Sequence, residues 1–463
     1  MRRVSPPYLG AAVTSVLVAL VFPLTLLHAQ LPVEVPSWSR QFGSPGFDQA
    51  NGIAVRDGYA YVVGDVIGSL PNQGSTLSTD RNGFLRRYDS TGKDLWTRQF
   101  GTAAEDSATS VAVTDSGIYV AGWTAGVLTG QNRLGPDHNA FVRKYDFNGN
   151  EVWTRQFGTM SAVEANAVAA DSSGVYVAGF VDCCGSPFPG TLGSSGTDAF
   201  VRKYSPDGAE LWTRQFGSVD VDRATAMTVD GTGVYVVGTT NGEFAGPRGQ
   251  NDGFLAKFST DGATLLSKQF GTIDQNEEVT SVAVGPSGIY VGGRTSGTLP
   301  GNAPVQGLWD AFVMQFDSDG IGRWGREFGG PGDGDTVGGL AVGLDNLLVT
   351  GAVDGSLYGG PFVGGVDAFY LFFDFNGNPV STREFGDGLN DFGTGAAVDL
   401  RAFYIVGSKN GNALGLTPAG DNDAFVMKMG LTPLPKEDVK LPAGPARGGG
   451  GSRGRGGRAG RGN

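Results

Sequence analysis

The sequence predicts an all-β protein: a seven-bladed β-propeller with four strands per blade, closed by the N-terminal strand completing the last blade. Three observations predict it. A motif of the form W-T-R-Q-F-G ends at Gly43, Gly101, Gly158, Gly217, Gly271, Gly329 and Gly386, at spacings of 58, 57, 59, 54, 58 and 57 residues. Each interval holds four short runs rich in Val, Ile, Tyr, Phe and Trp, separated by Gly, Asp, Asn and Ser. That is the pattern of strands joined by tight turns. The phase is offset: "WSRQFG" precedes the first full unit, and the last unit stops after its third strand, "DAFVMKM" at Asp423–Met429. The leading strand can then pair beside Phe425–Met429 and leave no open edge. A solenoid is the main alternative. It needs atypical capping repeats, whereas the first and last units here look like interior ones.

The elements follow in order. Arg2 and Arg3 precede an apolar run over Leu9–Leu27, and Ala29 is the expected last residue before cleavage. Residues 1–29 therefore read as a secretory signal. An uncleaved anchor is the alternative, because the run approaches spanning length, and a membrane partner is expected only in that case. The expected location is outside the cell or in its envelope. Cys183 and Cys184 are adjacent, in "VDCCGSPFPG". They lack the C-x-x-C spacing of a redox site, and one pair is no disulfide framework.

The propeller is expected over 38–430. Its third and fourth strands are joined by "YDSTG", "YDFNG", "YSPDG" and "FDSDG". Asp or Ser can bond back to the turn backbone, and the glycine can take positive φ in a bulged hairpin. In the hexapeptide, Trp, Arg and Phe share one face and Thr and Gln the other. The aromatics suit packing between sheets, and the Arg stem can lie over the rings. A catalytic arginine is not needed in every unit, so the hexapeptide reads as scaffold.

Composition bounds the chemistry. The chain has 463 residues, 78 glycines and a formal net charge of −12. Its two histidines, His28 and His138, offer little for a histidine-based active site or a transition-metal cage. His138 is expected to be an exposed loop residue.

Two acidic positions recur. The first comprises Asp48, Asp106, Glu164, Asp222, Glu277 (or Glu278), Asp335 and Asp391, each preceding the first strand of its unit. They are expected to ring one channel mouth and take a cation or basic ligand there. The structural alternative is that each caps a loop backbone or pairs with the motif Arg. The second comprises Asp198, Asp252, Asp310, Asp367 and Asp423, with Asn139 and Asn82 in the second and first units. Interchange of Asp and Asn points to local hydrogen bonding. No cofactor is predicted. Structural calcium is the one alternative, although "DFNGNE" and "DSTGKD" are too short for an EF-hand loop.

The repeat resembles the bacterial β-propeller (SBBP-type) repeat of secreted and surface proteins. The residues that carry the likeness are Asp222–Gly238 and Asp198–Gly208, and it extends over roughly 38–430. The resemblance implies a propeller and export. It brings no agreed catalytic set.

Individuality lies in the loops between second and third strands, which begin at Asp65, Phe180 and Arg294. Loops on a rigid scaffold are the usual place for recognition. Trp123, Trp309 and Phe362 are irregular aromatics that either reach a ligand or pack locally. After the propeller, 431–446 reads as a Pro-containing linker. Residues 447–463 read as a disordered tail with Arg447, Arg453, Arg455, Arg458 and Arg461. Those arginines are candidates for holding an anionic polymer. Nucleic acid is a less fitting partner for an exported chain whose body is acidic. The reading that results is an exported, non-enzymatic scaffold for an envelope or extracellular protein or polysaccharide. A secreted polysaccharide hydrolase or lyase is the alternative, and would need a carboxylate cluster that breaks the repeat.

Overall fold

Four antiparallel strands make each of seven sheets, and six of the sheets run in simple chain order. The first uses Asp48–Arg56, Tyr59–Ile67, Arg81–Tyr88 and Asp94–Phe100, from the channel outward. The seventh is built differently. Its order is Pro36–Phe42, Asp423–Gly430, Ala402–Lys409, Asp391–Asp399, so the first strand of the chain closes the last blade. Arg40 pairs with Val426 and Phe42 with Ala424. This is the predicted seven-bladed propeller with its predicted closure. The computed structural model describes residues 36–430 apart from 74–79, 183–186, 192, 194–195, 246–249, 274, 301, 303–306, 359–361, 400–401 and 412–417. Residues 1–29, which the sequence suggests are a secretory signal, Cys183, Cys184, residues 431–446 and the five arginines of 447–463 lie outside the described residues.

In five blades the Trp and Arg of the hexapeptide clamp the blade to the next; blade 4 has Leu266 and Lys268 in their places, and blade 6 has Ser381 at the Trp place. Trp38 Nε1 donates to Ser90 O at 3.1 Å, and Arg40 Nε donates to Gly92 O at 2.7 Å. Both acceptors lie in the third-to-fourth-strand turn of the following blade. Trp153 and Arg155 repeat this on Pro206 O and Gly208 O, at 3.1 and 2.8 Å. The guanidinium also lies on its own Trp ring, 5.6 Å from the centroid for Arg40. The turn glycine has positive φ, +79° at Gly92 and +82° at Gly208, and a Cβ on Gly92 would stand 2.6 Å from Trp38. Glycine is thus required twice over, for the turn and for the indole. The motif Phe reaches the next element of the core: Phe157 meets Phe200 edge-on at 5.8 Å. Third strands such as Asp198–Tyr204 are buried along their whole length.

A second set of bonds joins the inner strands around the channel. Each inner strand except the sixth carries a Thr or Asn at its bulge that donates to a carbonyl of the next blade. Thr109 donates to Ala165 O at 2.7 Å and Asn166 to Ala224 O at 2.8 Å. Thr394 donates to Ala50 O, from blade 7 back to blade 1. Blade 6 has Gly338 at this place, where a Cβ would lie 2.0 Å from Gly393 O, so blades 6 and 7 meet by backbone.

Candidate functional site

The inner strands begin with the acidic residues picked out in the sequence, and their neighbours line one end of the channel. Successive strand residues point to opposite sides, so the two rows have different surroundings.

The first row lies in the seams between blades. Asp48, Asp106, Asp222, Glu277, Asp335 and Asp391 are each at most 1% exposed. In five of them the carboxylate accepts the amide just after the motif glycine. The donors are Ser44, Thr102, Ser218, Thr272 and Gly330, at 2.6, 2.5, 2.6, 3.1 and 2.7 Å. The second recurrent acid of the preceding blade meets it there. A Cβ on Gly271 would stand 2.4 Å from both Asp252 Oδ1 and Glu277 Oε2. The motif glycine is the space that two acids share. Blade 3 departs from the row. Val163 takes the acid's place, opposite Val181, and Glu164 is one residue further along, opposite Phe180.

The motif Gln completes each seam. Gln41, Gln215 and Gln269 each donate Nε2 to Asp423, Asp198 and Asp252 at 2.6 Å. In Gln215 and Gln269 the amide oxygen also anchors the blade's own loop, accepting Phe188 N at 3.0 Å and Phe244 N at 2.8 Å. In "WGREFG" and "STREFG" the residue is Glu327 or Glu384. The loop bonds persist, from Leu299 N to Glu327 and from Leu357 N to Glu384, the latter at 2.6 Å. The donor to the neighbouring Asp is lost, and Oε2 of both glutamates accepts no hydrogen bond among the described residues. Burial, then Asp310 and Glu277, push Glu327 up to about 7; burial and Asp367 raise Glu384. Burial likewise carries Asp48, Asp335 and Asp391 up to about 7, with Asp423, Asp310 and Asp387 respectively adding repulsion. These carboxylates hold protons far more readily than exposed ones do. Blade 7 also buries Lys409, in register with Asp391 and Asp423. Burial lowers its affinity for a proton, against the pull of Asp391, Asp387 and Asp423.

The second row forms the mouth. Seven cross-strand pairs define it: Gln49 with Asp65, Ser107 with Trp123, Glu164 with Phe180, Arg223 with Thr239, Glu278 with Arg294, Thr336 with Ala352, and Phe392 with Ser408. No two blades repeat a pair. Four of the five acids and bases in these pairs, Asp65, Glu164, Glu278 and Arg294, are compensated. Asp65 faces Arg81 at 3.7 Å, and Glu278 accepts Arg294 Nη2 at 2.6 Å. Glu164 Oε1 is 2.8 Å from His138 Nδ1, and the imidazole stacks on Trp123 at 4.3 Å. His138 is thus held between an indole and a carboxylate, where the sequence suggested a merely exposed residue. Trp309 lies under Arg294, 4.5 Å from its guanidinium. Phe362 is 39% exposed.

The mouth contains a pocket of about 560 Å³ between blades 5, 6, 7 and 1. Its lining includes Phe47, Phe392, Gln49, Asn390, Asn410 and Asn422, and it includes no charged side chain. Phe47 and Phe392 are 42% and 37% exposed, unlike the core aromatics. Thr336, Ser408 and Thr394 add hydroxyls. Phe392 follows a seam acid and Phe47 precedes one; their own signal in the sequence was an aromatic beside a repeated acid, and the regularity of the acid hid it. Among the described residues no group of three His, Cys, Asp or Glu side chains is set to hold a metal ion, and no helix is long and apolar enough to cross a membrane.

Fold and site together define a seven-bladed β-propeller whose mouth differs in every blade. No family model matches the chain, so its likeness to the SBBP repeat is one of motif. It is similar to the regulatory protein FlaEY of Caulobacter vibrioides, 29% identical over 424 residues, covering 79% of this chain and 42% of that protein. The chain thus spans less than half the length of this curated relative. Among solved structures it is similar to Kuenenia stuttgartiensis hydrazine synthase, with a TM-score of 0.48, 12% identity, and 79% and 94% of the two chains covered. The Neurospora crassa Pan2 WD40 domain gives a TM-score of 0.46 and 10% identity, over 84% and 95%.

Proposed function

We propose that this protein is an exported, non-enzymatic propeller of the SBBP type that binds a saccharide of the envelope or extracellular space at its channel mouth. One observation carries the reading: the uncharged pocket that pairs two exposed phenyl rings with several amide and hydroxyl side chains. A sugar presents a face of C–H groups that packs on an aromatic ring. Its hydroxyls both donate and accept, as carboxamides and hydroxyls do. A protein ligand is less well matched, because the lining is concave and sets two phenyl rings among small amide and hydroxyl side chains. The compensated state of Asp65, Glu164 and Glu278 favours binding over hydrolysis, since acid–base cleavage needs a pair of carboxyl groups free to act. The name of the Caulobacter relative, a regulatory protein, agrees with recognition without turnover.

The test is a saccharide array probed with the full chain and with Phe47→Ala and Phe392→Ala. Specific binding that falls about tenfold or more in both variants, a change of about 1.4 kcal/mol, is the expected result. Saccharide binding unchanged in both variants would remove the pocket from the account. Sugar release from a bound oligosaccharide would replace the binding reading with the hydrolytic one.

A further inference from the structure

We infer that the saccharide held at the mouth carries an acidic group, a carboxylate or a sulfate ester, and that Arg223 binds it. This rests on the saccharide reading above and narrows it to a substrate class.

The argument starts from the mouth's charges. Of the fourteen residues in its seven cross-strand pairs, five are ionisable acids or bases: Asp65, Glu164, Arg223, Glu278 and Arg294. Arg81, His138 and the Glu278–Arg294 pair itself account for four of them. Arg223 makes no ion pair among the described residues, and it is exposed. Its guanidinium is nevertheless placed, since it packs on the Phe180 ring of the preceding blade at 4.5 Å. Cation–π contact of this kind fixes the planar fork without using its N–H groups. Those donors remain for a ligand, and a guanidinium meets a carboxylate or sulfate with two parallel hydrogen bonds.

Position joins this charge to the neutral pocket. Arg223 lines a second cavity of about 460 Å³, with Thr239, Asn241, Asn251 and Thr280. Thr280 also lines the first cavity. The two are therefore neighbouring parts of one mouth, which suits an oligosaccharide with one sugar on the phenyl rings and an acidic sugar against Arg223. Glu278 also lines the second cavity, but Arg294 neutralises it through Nε and Nη2 at 2.9 and 2.6 Å. The formal net charge of −12 repels a dense polyanion. An occasional acidic group on an otherwise neutral chain fits both the local cation and the overall field.

The experiment compares wild type, Arg223→Gln and Arg223→Lys as full chains. Each is titrated with matched neutral, uronate-bearing and sulfated oligosaccharides at one ionic strength. The tail arginines are common to all three proteins and cancel. We expect one acidic series to bind wild type roughly ten- to hundredfold more tightly than its neutral parent, as suits a charged hydrogen bond. Arg223→Gln should erase that advantage and leave neutral binding in place, and Arg223→Lys should keep part of it. Preference for the uronate or for the sulfated series names the acid. Equal binding of acidic and neutral sugars by wild type would overturn the inference. So would an acidic preference that survives Arg223→Gln; in both cases the saccharide reading stands. No binding to any saccharide would overturn both.

Discussion

Asp391 and Phe392 are consecutive residues of one strand, yet they belong to different parts of the molecule. Asp391 is buried in a seam between blades and repeats, as Asp or Glu, in five other blades. Phe392 stands 37% exposed in the mouth and has no counterpart of its kind in any other blade. The same alternation separates Asp222 from Arg223 and Glu277 from Glu278. One side of the inner strand assembles the ring and the other lines the channel mouth, where the saccharide is proposed to bind. Regularity marks the first and irregularity the second.

Substitutions on the seam side should therefore change stability, and those on the mouth side should change binding. The largest loss is expected for Trp153→Ala. It removes a buried indole, its bond to Pro206 O and the cover over Gly208. The cost should be about 3–5 kcal/mol, read as a fall in the denaturation midpoint. Any folded fraction should still bind saccharide.

The next effect is a dependence on pH. Asp48, Asp335 and Asp391 sit at about 7 in the fold, above their ordinary 3.8. A folded value above the unfolded one means that the fold keeps protons the unfolded chain has released. The stability these groups contribute is complete below about 4 and is lost as pH rises through about 7. Melting should occur at a higher temperature at pH 5.5 than at pH 8. A Tm that is flat or rises across that interval would show the seam acids to be ionised and satisfied.

Glu384→Gln should sharpen the comparison further, in the opposite direction. It restores the amide donor that Gln215 and Gln269 supply in their seams. A gain of about 1 kcal/mol is expected at neutral pH, shrinking as pH falls and Glu384 becomes protonated. Urea titrations at pH 5.5 and pH 8 would measure both. The smallest effect on stability belongs to Phe392→Ala, within about 0.5 kcal/mol as for most surface changes.

The fold was legible because the blades repeat their turns and strand period, and five of the seven repeat the clamp. Even the closure could be read, from "WSRQFG" before the first unit and the missing fourth strand of the last. The clamp's mechanism was not. Nothing in "WTRQFG" says that Arg155 reaches a carbonyl 53 residues away in the next blade. The acidic row was visible as a pattern, but its side was not, because strand alternation hides whether a regular residue faces a seam or the channel. Glu164 illustrates the difficulty. Counting from the motif glycine selects it, while backbone register gives the seam place to Val163 and sets Glu164 beside His138. The mouth was the least legible part, since its seven pairs share no pattern and meet only when the ring closes.

The most direct measurement is saccharide affinity and Tm for two single variants at adjacent positions, Asp391→Ala and Phe392→Ala. The account predicts a lowered Tm with saccharide binding kept for the first, and a wild-type Tm with affinity reduced about tenfold or more for the second. Equal loss of affinity in both, or loss of stability without loss of affinity in Phe392→Ala, would contradict the division of the inner strand into a seam side and a ligand side.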